Sequence, residues 1–370
     1  MKIEAPYTLG SRELQNRTVM APMTRSRATG NLPNGLMAEY YSQRSSAGLI
    51  ITEGTSPSPN GLGYARIPGI FSEEQCDAWR QVSDAVHVGG ARIFMQLMHC
   101  GRVGNLLNLP SGGELLAPSA VTMSGTIWTD SRGEQPYDPP REMTVDDIHR
   151  TITEYVQGAR YAMDAGCDGV ELHAANGYLI TQFLDPGSNQ RSDEYGGDPQ
   201  RRNRFALDLA EALVAAVGAE RVGIRFSPYG LFNDMSGAYP GIAQQYVALA
   251  TATGHLGLAY MHMVDHSAMG GPKPEPATVQ DMCRAFRTAG GGAVILSGGY
   301  DGERAEAELQ SGAADLIAFG RPFIANPDLF RRLKNNHPLA VPDQTTFYSP
   351  GTAGYTDYPT WSWLKLLVKE

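Results

Sequence analysis

The 370-residue sequence contains only four cysteines, and they lie far apart: Cys76, Cys100, Cys167 and Cys283. It has no CxxC pair and no Cys/His ligand spacing, which argues against a disulfide framework or a zinc site. We expect four reduced, mostly buried thiols. Apolar runs are also short, because none approaches the ~18 residues of a membrane span. The N-terminus lacks the apolar core of a signal peptide. These absences predict a cytoplasmic protein that is not inserted in a membrane.

Basic residues are fewer than acidic residues. The sequence has 30 Lys and Arg against 39 Asp and Glu, a net charge of −9 and a pI near 5.4. Proteins that bind a phosphate backbone usually carry a basic excess, so nucleic acid is not an expected partner. Hydrophobic residues make up 42% of the chain, which is enough for a large core and excludes a disordered protein. We expect a monomer or a homodimer with a small-molecule substrate.

Short apolar runs alternate with stretches of helical character. The runs lack a clean polar/apolar alternation, as is typical of strands covered on both faces. They begin at Thr18, Gly48, Arg92, Asp168, Arg221, Leu258, Ala293 and Asp315. Helix starts are indicated at Ser72, Thr144 and Asp198, the last followed by Pro199. Later helices are expected near residues 241–254, 275–288 and 302–312.

Eight strands, each followed by a helix, predict a single (β/α)8 TIM barrel over residues 1–370. A doubly wound sheet is the alternative, although no GxGxxG motif follows the first strand. Residues 101–143 interrupt the alternation with many Gly, Pro, Ser and Asn residues. A loop this long in a compact domain is usually functional. We expect an excursion after the third strand, with a short hairpin, that caps the mouth of the barrel.

Chemistry in such barrels collects at the C-terminal ends of the strands. Gly298 and Gly299 follow the seventh predicted strand, and Gly320 and Arg321 follow the eighth. Glycines allow backbone N–H groups to approach an oxyanion, and an arginine adds bidentate charge. The pattern predicts a phosphate site. The alternative is that the glycines only form turns and that Arg321 is a surface cation.

The fourth strand runs into His173, Asn176 and Tyr178. The first two lie three residues apart and can donate hydrogen bonds to one carbonyl oxygen. Tyr178 adds a weak acid that can deliver a proton. The alternative is that each is a satisfied core residue. No Asp or Glu completes a metal triad with them, so no metal is expected.

Several long motifs carry a resemblance over nearly the whole chain. They include LQNRTVMAPMTRSRA from Leu14, the run HAANGYLITQFLDPGSNQRSDEYGGDPQRRNRF, AFGRPFIANPDL and FYSPGTAGYTDYP. In these motifs the chain resembles the old yellow enzyme family of FMN-dependent NAD(P)H ene reductases. The resemblance implies non-covalent FMN, with NADPH or NADH as the hydride donor.

The resemblance also implies residue roles. Pro22, Met23 and Thr24 are expected to line the flavin, with the Thr24 hydroxyl near a ring carbonyl, where it tunes the reduction potential. Gly54 and Gln96 are expected to contact the ring, and Arg225 its N1 and O2 side. The remaining expected cofactor contacts are Gly298, Gly299, Gly320 and Arg321 at the phosphate. Tyr178 is the implied proton donor, His173 and Asn176 the ligands of the substrate's activating oxygen, and Tyr64, Met98 and Tyr348 further pocket residues.

The implied reaction is reduction of the activated C=C bond of an α,β-unsaturated carbonyl or nitro compound. Two alternatives use the same scaffold: an FMN-dependent dehydrogenase or oxidase of a biosynthetic intermediate, and a non-catalytic flavin-binding protein. The chain also departs from the family pattern. Met98 replaces an aromatic residue that is usually Trp, Gly54 a common Ala, Thr181 an Asp, and Ser349-Pro350 a Gly-rich stretch. These departures are expected to change the pocket rather than the chemistry.

Overall fold

A computed structural model describes residues 1–363 of the chain. Its strands are, in order, β1 (Tyr7–Leu9), β2 (Arg12–Leu14), β3 (Thr18–Met20), β4 (Leu49–Ile51), β5 (Arg92–Leu97), β6 (Leu116–Ala117), β7 (Thr126–Thr129), β8 (Gly133–Pro136), β9 (Arg141–Glu142), β10 (Gly169–Ala174), β11 (Val222–Phe226), β12 (Tyr260–Val264), β13 (Ala293–Ser297) and β14 (Leu316–Phe319). The helices are α1 (Gly35–Gln43), α2 (Glu73–Val88), α3 (Val145–Asp164), α4 (Leu179–Leu184), α5 (Pro199–Val217), α6 (Ile242–His255), α7 (Pro276–Thr288), α8 (Gly302–Ser311), α9 (Arg321–Ala325) and α10 (Leu329–Lys334).

Eight parallel strands close into a barrel. They follow one another in the order β3, β4, β5, β10, β11, β12, β13 and β14, and β14 pairs back with β3. Every one of the eight predicted apolar runs forms one of these strands. The (β/α)8 prediction is confirmed, and the doubly wound alternative is wrong because the sheet has no open edges.

Helix starts follow from the capping chemistry that the sequence carries. The Ser72 hydroxyl accepts the Gln75 N–H at the start of α2, and Asp198 caps α5 ahead of a proline. At α3, Thr144 and Asp147 form a reciprocal capping box. Such caps satisfy N–H groups that the first turn leaves unpaired. The caps therefore fix the residue at which each of these helices begins, after the loop at the mouth of the barrel.

Apolar side chains fill the N-terminal part of the barrel interior, and the β1–β2 hairpin closes this end. Leu9 and Leu14 from this hairpin join the buried cluster that includes Val19, Leu49 and Phe94. The sequence analysis did not predict the hairpin. All four cysteines are buried and unpaired. No helix in residues 1–363 has the length and apolar character needed to cross a membrane.

The excursion between β5 and α3 contains the expected hairpin. Strands β7 and β8 pair antiparallel, and β6 pairs with β9 at its base. The Arg102 guanidinium donates to the carbonyls of Asn233 and Asp234, at 3.1 and 2.9 Å, in the loop after β11. The excursion is therefore attached to the C-terminal side of the barrel, where the candidate site residues lie.

A buried carboxyl group follows β4 at the same end of the barrel. Glu53 accepts hydrogen bonds from the Tyr41 hydroxyl at 3.3 Å and from the Arg25 backbone N–H at 3.4 Å. Burial raises the pKa of Glu53 to about 7, and these hydrogen bonds offset only part of that shift. The folded protein therefore favours the neutral acid at a pH where an unfolded chain has the carboxylate.

Glu53→Gln should remove a pH-dependent loss of stability. The wild-type carboxyl titrates near 4.5 when unfolded and near 7 when folded, so its contribution is complete below pH 4.5 and is lost as the pH rises through 7. The loss amounts to ~3 kcal/mol of unfolding free energy. Denaturant unfolding at pH 5 and pH 8.5 measures it. The difference in unfolding free energy between wild type and Glu53→Gln should change by that amount between the two pH values. A difference that is the same at both would contradict the raised pKa of Glu53.

Candidate active site

Three polar residues predicted to act together meet at the end of β10. His173 lies in the strand, with its Cα opposite that of Arg225 in β11. Asn176 and Gly177 both have positive φ, and the Asn176 N–H donates to the Ser227 hydroxyl at 2.9 Å. This sharp turn brings Tyr178 back over His173, with ring centroids 4.9 Å apart. A side chain at Gly177 would collide with the Phe232 carbonyl at 2.4 Å, so the turn needs glycine.

Several buried polar atoms at this point have no hydrogen-bond partner. They are His173 Nδ1, Asn176 Oδ1 and Arg225 Nε. Buried polar atoms in proteins are nearly always hydrogen-bonded, so three unpartnered atoms on two adjacent strands and the turn after β10 indicate a place for a polar ligand. Burial, with the nearby Arg225 charge, holds the pKa of His173 well below its usual range. The imidazole is therefore neutral, with one ring N–H that can donate a hydrogen bond.

Two phenols lie beside this group. The Tyr178 hydroxyl donates to the Tyr64 hydroxyl at 3.2 Å, and the rings meet edge to face. Burial raises the pKa of Tyr178 and of Tyr64. Both phenols are therefore protonated at neutral pH, and a protonated phenol can act as an acid but not as a base.

Asn233, in the loop after β11, is a site residue that the sequence analysis missed. Its amide N–H donates to the Asn176 carbonyl at 2.8 Å, and its side chain also approaches the Tyr178 hydroxyl and lowers the pKa of that group against the effect of burial. Its own backbone is left-handed, with φ of 58°. The signal that could have found it is its position just after the fifth barrel strand.

A buried hydrogen-bonded chain crosses the barrel from Gln96. Gln96 Nε2 donates to Glu171 at 2.8 Å, Glu171 contacts His262 Nδ1 at 2.9 Å, and His262 Nε2 contacts the Ser297 hydroxyl at 3.0 Å. Since Ser297 gives its own proton to the Met263 carbonyl, His262 Nε2 must be the donor to it. A second proton must then lie between His262 and Glu171, so this pair is neutral overall. This series of hydrogen bonds fixes the orientation of the Gln96 side-chain amide, whose N–H group faces Glu171.

The predicted phosphate residues lie in the loops after β13 and β14. Gly298 and Gly299 have φ of 119° and 63°. A Cβ at Gly298 would lie 2.1 Å from the Asp265 carbonyl, and one at Gly299 2.6 Å from the Ala268 Cβ. Arg304, not predicted as a site residue, donates to the Gly298 carbonyl at 3.1 Å. The backbone here needs glycine on steric grounds, whatever ligand it holds.

Arg321 is the first residue of α9 and is exposed, with no hydrogen-bond or ionic partner among residues 1–363. The preceding Gly320 is under weaker constraint, because a Cβ there would lie 3.6 Å from the Met23 sulfur. The geometry thus leaves the Arg321 guanidinium free for an external anion.

The loop after β3 contains the remaining predicted flavin contacts. Pro22 is buried, and Met23 and Thr24 are half-buried. Arg27, three residues further on, donates to the carbonyls of Thr346, Phe347, Gly351 and Ala353 at distances from 2.7 to 3.3 Å. This arginine holds the C-terminal segment against the loop, and Tyr348 in that segment is 61% exposed.

Two of the departures from the family pattern prove to be neighbours. A Cβ at Gly54 would lie 2.5 Å from the Met98 sulfur. Met98 is buried in a cluster with Leu62 and Cys100, and Tyr64 and Tyr178 pack against this cluster. The thioether therefore fills the volume that an alanine at position 54 would need. One departure accommodates the other.

Gly54→Ala should destabilise the protein by ~1–3 kcal/mol, because the added methyl overpacks a filled volume. The same substitution should cost less when Met98→Ala is already present, since the colliding atoms are gone. Chemical denaturation of the two single variants and the double variant gives the coupling free energy, which we expect at ~0.5–3 kcal/mol. Strictly additive effects would show that the two residues do not share this space.

Comparison with known proteins agrees with this geometry. Residues 2–340 match the NADH:flavin oxidoreductase / NADH oxidase family. The chain is 41% identical to 12-oxophytodienoate reductase 1 of Oryza sativa subsp. japonica over 362 residues, which cover 96% of this chain and 92% of that one. Morphinone reductase superposes with a TM-score of 0.92 at 40% identity, covering 97% and 96% of the two chains. The old yellow enzyme homologue from Zymomonas mobilis gives 0.90 at 40% identity, covering 97% and 99%.

The fold and these matches define an FMN-dependent oxidoreductase that uses a reduced nicotinamide as hydride donor. The chain belongs to the NADH:flavin oxidoreductase / NADH oxidase family, and the resemblance to old yellow enzyme is confirmed.

Proposed function

We propose that the enzyme reduces the activated C=C bond of α,β-unsaturated carbonyl or nitro compounds. The observation that carries this proposal is the set of unpartnered buried atoms on His173, Asn176 and Arg225, next to a protonated Tyr178. The His173 ring, the Arg225 guanidinium and the Asn176 side-chain amide each carry N–H donors. Donors that meet at one point stabilise negative charge that develops on an oxygen there. The proposal treats residues 1–370 as one FMN-binding barrel domain, with 101–143 as a capping excursion. Residues 364–370 lie outside the described structure.

The polar atoms at this end of the barrel fit a flavin and the oxygen of a substrate. Arg225 and Gln96 would hold the polar edge of the ring, with Pro22, Met23, Thr24 and Gly54 around it. Gly298, Gly299, Gly320 and Arg321 would hold the phosphate. The chemistry that bound FMN would supply is transfer of hydride from the nicotinamide to the substrate's β carbon.

The protein's own contribution is position and charge stabilisation. His173 and Asn176 hold the substrate's oxygen and stabilise the negative charge that builds on it. Tyr178 holds the proton that the α carbon takes up, and Tyr64 and Asn233 orient its hydroxyl. Met98 and Tyr348 would line the rest of the pocket.

The relatives support this reaction class by name. One relative is named 12-oxophytodienoate reductase 1, and one solved structure is named morphinone reductase, so both names denote reductases. One solved structure of morphinone reductase is a complex with tetrahydroNAD, which supports the nicotinamide as the hydride donor for this chain.

Anaerobic stopped-flow absorbance tests the proposal in two halves. The FMN-loaded enzyme is mixed first with NADPH or NADH and then with cyclohexenone, cinnamaldehyde or nitrostyrene. Bleaching and recovery of the flavin band, with a saturated product, are expected. Fast bleaching without recovery by any of the three would contradict ene reduction. Failure of both nicotinamides to bleach the flavin would favour a dehydrogenase or oxidase that draws hydride from its own substrate.

Arg321→Ala should release FMN during purification while the barrel stays folded. A charge-assisted pair with phosphate is lost, and the exposed side chain has no structural partner to lose with it. The FMN-to-protein ratio after gel filtration measures this, with circular dichroism as the check on folding. Arg331→Ala, an arginine in α10, serves as the control and should retain FMN. Full retention in Arg321→Ala would remove the phosphate assignment.

A further inference from the structure

Arg66 has a backbone conformation that is uncommon for its residue type. Its φ is 56°, in the left-handed region that side chains larger than Asn seldom occupy. Strain of this kind persists only where the surroundings enforce it. Here Arg66 is held at both its backbone and its side chain: its carbonyl accepts the Ala28 N–H at 3.0 Å, and all three guanidinium nitrogens have partners.

The Arg66 guanidinium joins three segments that are distant in sequence. Its Nε donates to the Ser26 carbonyl at 3.0 Å, and its Nη2 donates to the Tyr348 carbonyl at 2.9 Å. Its Nη1 forms an ion pair with Asp130. Every side of the planar fork is therefore used, which a lysine could not reproduce.

Each partner belongs to a different wall of the candidate active site. Ser26 lies in the loop after β3 that contains Pro22 to Thr24. Asp130 lies at the tip of the β7–β8 hairpin, where it also accepts the Trp128 indole N–H at 3.2 Å. Tyr348 lies in the C-terminal segment, close enough to Tyr178 to contribute to the raised pKa of that phenol.

The arginine is also close in sequence to the phenol pair. Tyr64, whose hydroxyl contacts Tyr178, precedes it by two residues. Because only one residue separates them, the contacts of the Arg66 guanidinium also restrict the position of Tyr64. The Arg66 side chain therefore links Tyr64 to the tip of the β7–β8 hairpin and to Tyr348.

We propose that Arg66 is a positioning residue that clamps the hairpin and the Tyr348 segment over the opening of the active site and so restricts the entry of bulky substrates. The selectivity part of this inference rests on the proposed ene reduction, whereas the clamp itself does not. An exposed ion pair of this kind adds little to global stability. Its loss should therefore appear locally, at residues 126–136 and 346–350.

Hydrogen–deuterium exchange of the FMN-loaded protein tests the clamp. Arg66→Ala should speed exchange in both segments, and Arg66→Lys should speed it at 346–350 while partly protecting the hairpin through Asp130. Asp130→Asn should loosen the hairpin alone. Arg132→Ala removes an exposed arginine of the same hairpin turn that has no ionic partner among the described residues, and should leave both segments unchanged. Unchanged exchange in Arg66→Ala would overturn the proposal.

Steady-state kinetics tests the restriction on substrate size. Arg66→Ala should raise kcat/KM for benzylideneacetone relative to cyclohexenone by about tenfold, the order of discrimination that a few methylenes give in a pocket. The change should lie mainly in KM for the bulky enone, with kcat little altered, and Arg132→Ala should keep the wild-type ratio. Equal loss with both enones would show a merely structural role and overturn the selectivity. Wild-type enzyme inactive on both enones would instead overturn the proposed reaction, while the exchange experiment still decides the clamp.

Discussion

Tyr178→Phe should leave flavin reduction by the nicotinamide nearly unchanged and slow flavin reoxidation by an enone by ~10²–10⁴-fold, the usual value of general acid catalysis. The physical reason is that only the second half-reaction needs a proton at the substrate's α carbon. Burial keeps the Tyr178 phenol protonated, so the wild-type reoxidation rate should not vary with pH around neutrality. Anaerobic stopped-flow measurement of each half-reaction separates the two effects.

Two comparisons make the Tyr178 result specific. Tyr64→Phe removes the neighbouring phenol that accepts from Tyr178 at 3.2 Å, and it should slow reoxidation far less because the donor itself remains. Nitroalkenes should suffer less than enones in Tyr178→Phe, since their nitronate product is stable without immediate protonation. If Tyr178 only packs the pocket wall, both half-reactions would fall by similar small factors. An unaltered enone half-reaction would exclude it as the proton donor.

The barrel could be predicted because its signals are local. Each strand is a short run of apolar residues, and helix caps such as Ser72 and Thr144 lie beside the first turn that they stabilise. The β1–β2 hairpin was missed because its three-residue strands lack a periodic pattern long enough to detect. Its role, closing the barrel end through Leu9 and Leu14, depends on contacts that are remote in sequence.

Parts of the candidate site depend on such remote contacts and could not be read from the chain. The contact between Asn233 and the Asn176 carbonyl joins two loops that meet only when the barrel closes. The Glu171–His262 pair is similar: its residues are 91 positions apart and look like ordinary strand residues in sequence. A sequence motif identifies site residues that directly follow a strand. The residues that hydrogen-bond to them come from neighbouring strands and loops, which are distant in sequence.

The coupling of Gly54 and Met98 shows a second limit of sequence reasoning. Read separately, each departure suggests a wider pocket. In the structure the Met98 thioether occupies the space above Gly54, so the two substitutions largely compensate in volume. The pocket therefore differs from the family pattern mainly in the flexibility of the side chain at position 98, since a thioether adapts its shape more readily than an indole.

The second large effect is expected at His173. His173→Leu keeps a similar volume but removes the donor to the substrate's oxygen, and reoxidation by an enone should slow by ~10²–10³-fold, as for loss of one oxyanion-hole donor. Because burial holds the pKa of His173 well below its usual range, the wild-type ring is neutral. The loss should therefore be the same at pH 6 and pH 8.

A matched pair of variants tests whether donation, rather than packing, is what His173 contributes. His173→Asn places an amide N–H at the same strand end and should recover most of the rate that His173→Leu loses. Asn176→Asp keeps the shape of its side chain but replaces a donor with an acceptor, and should be as slow as the leucine variant. Transient kinetics of reoxidation, at matched FMN content, gives all three rates. If asparagine and leucine at position 173 are equally slow while both proteins hold FMN, the ring acts by its shape, and the oxygen-binding role passes to Asn176 alone.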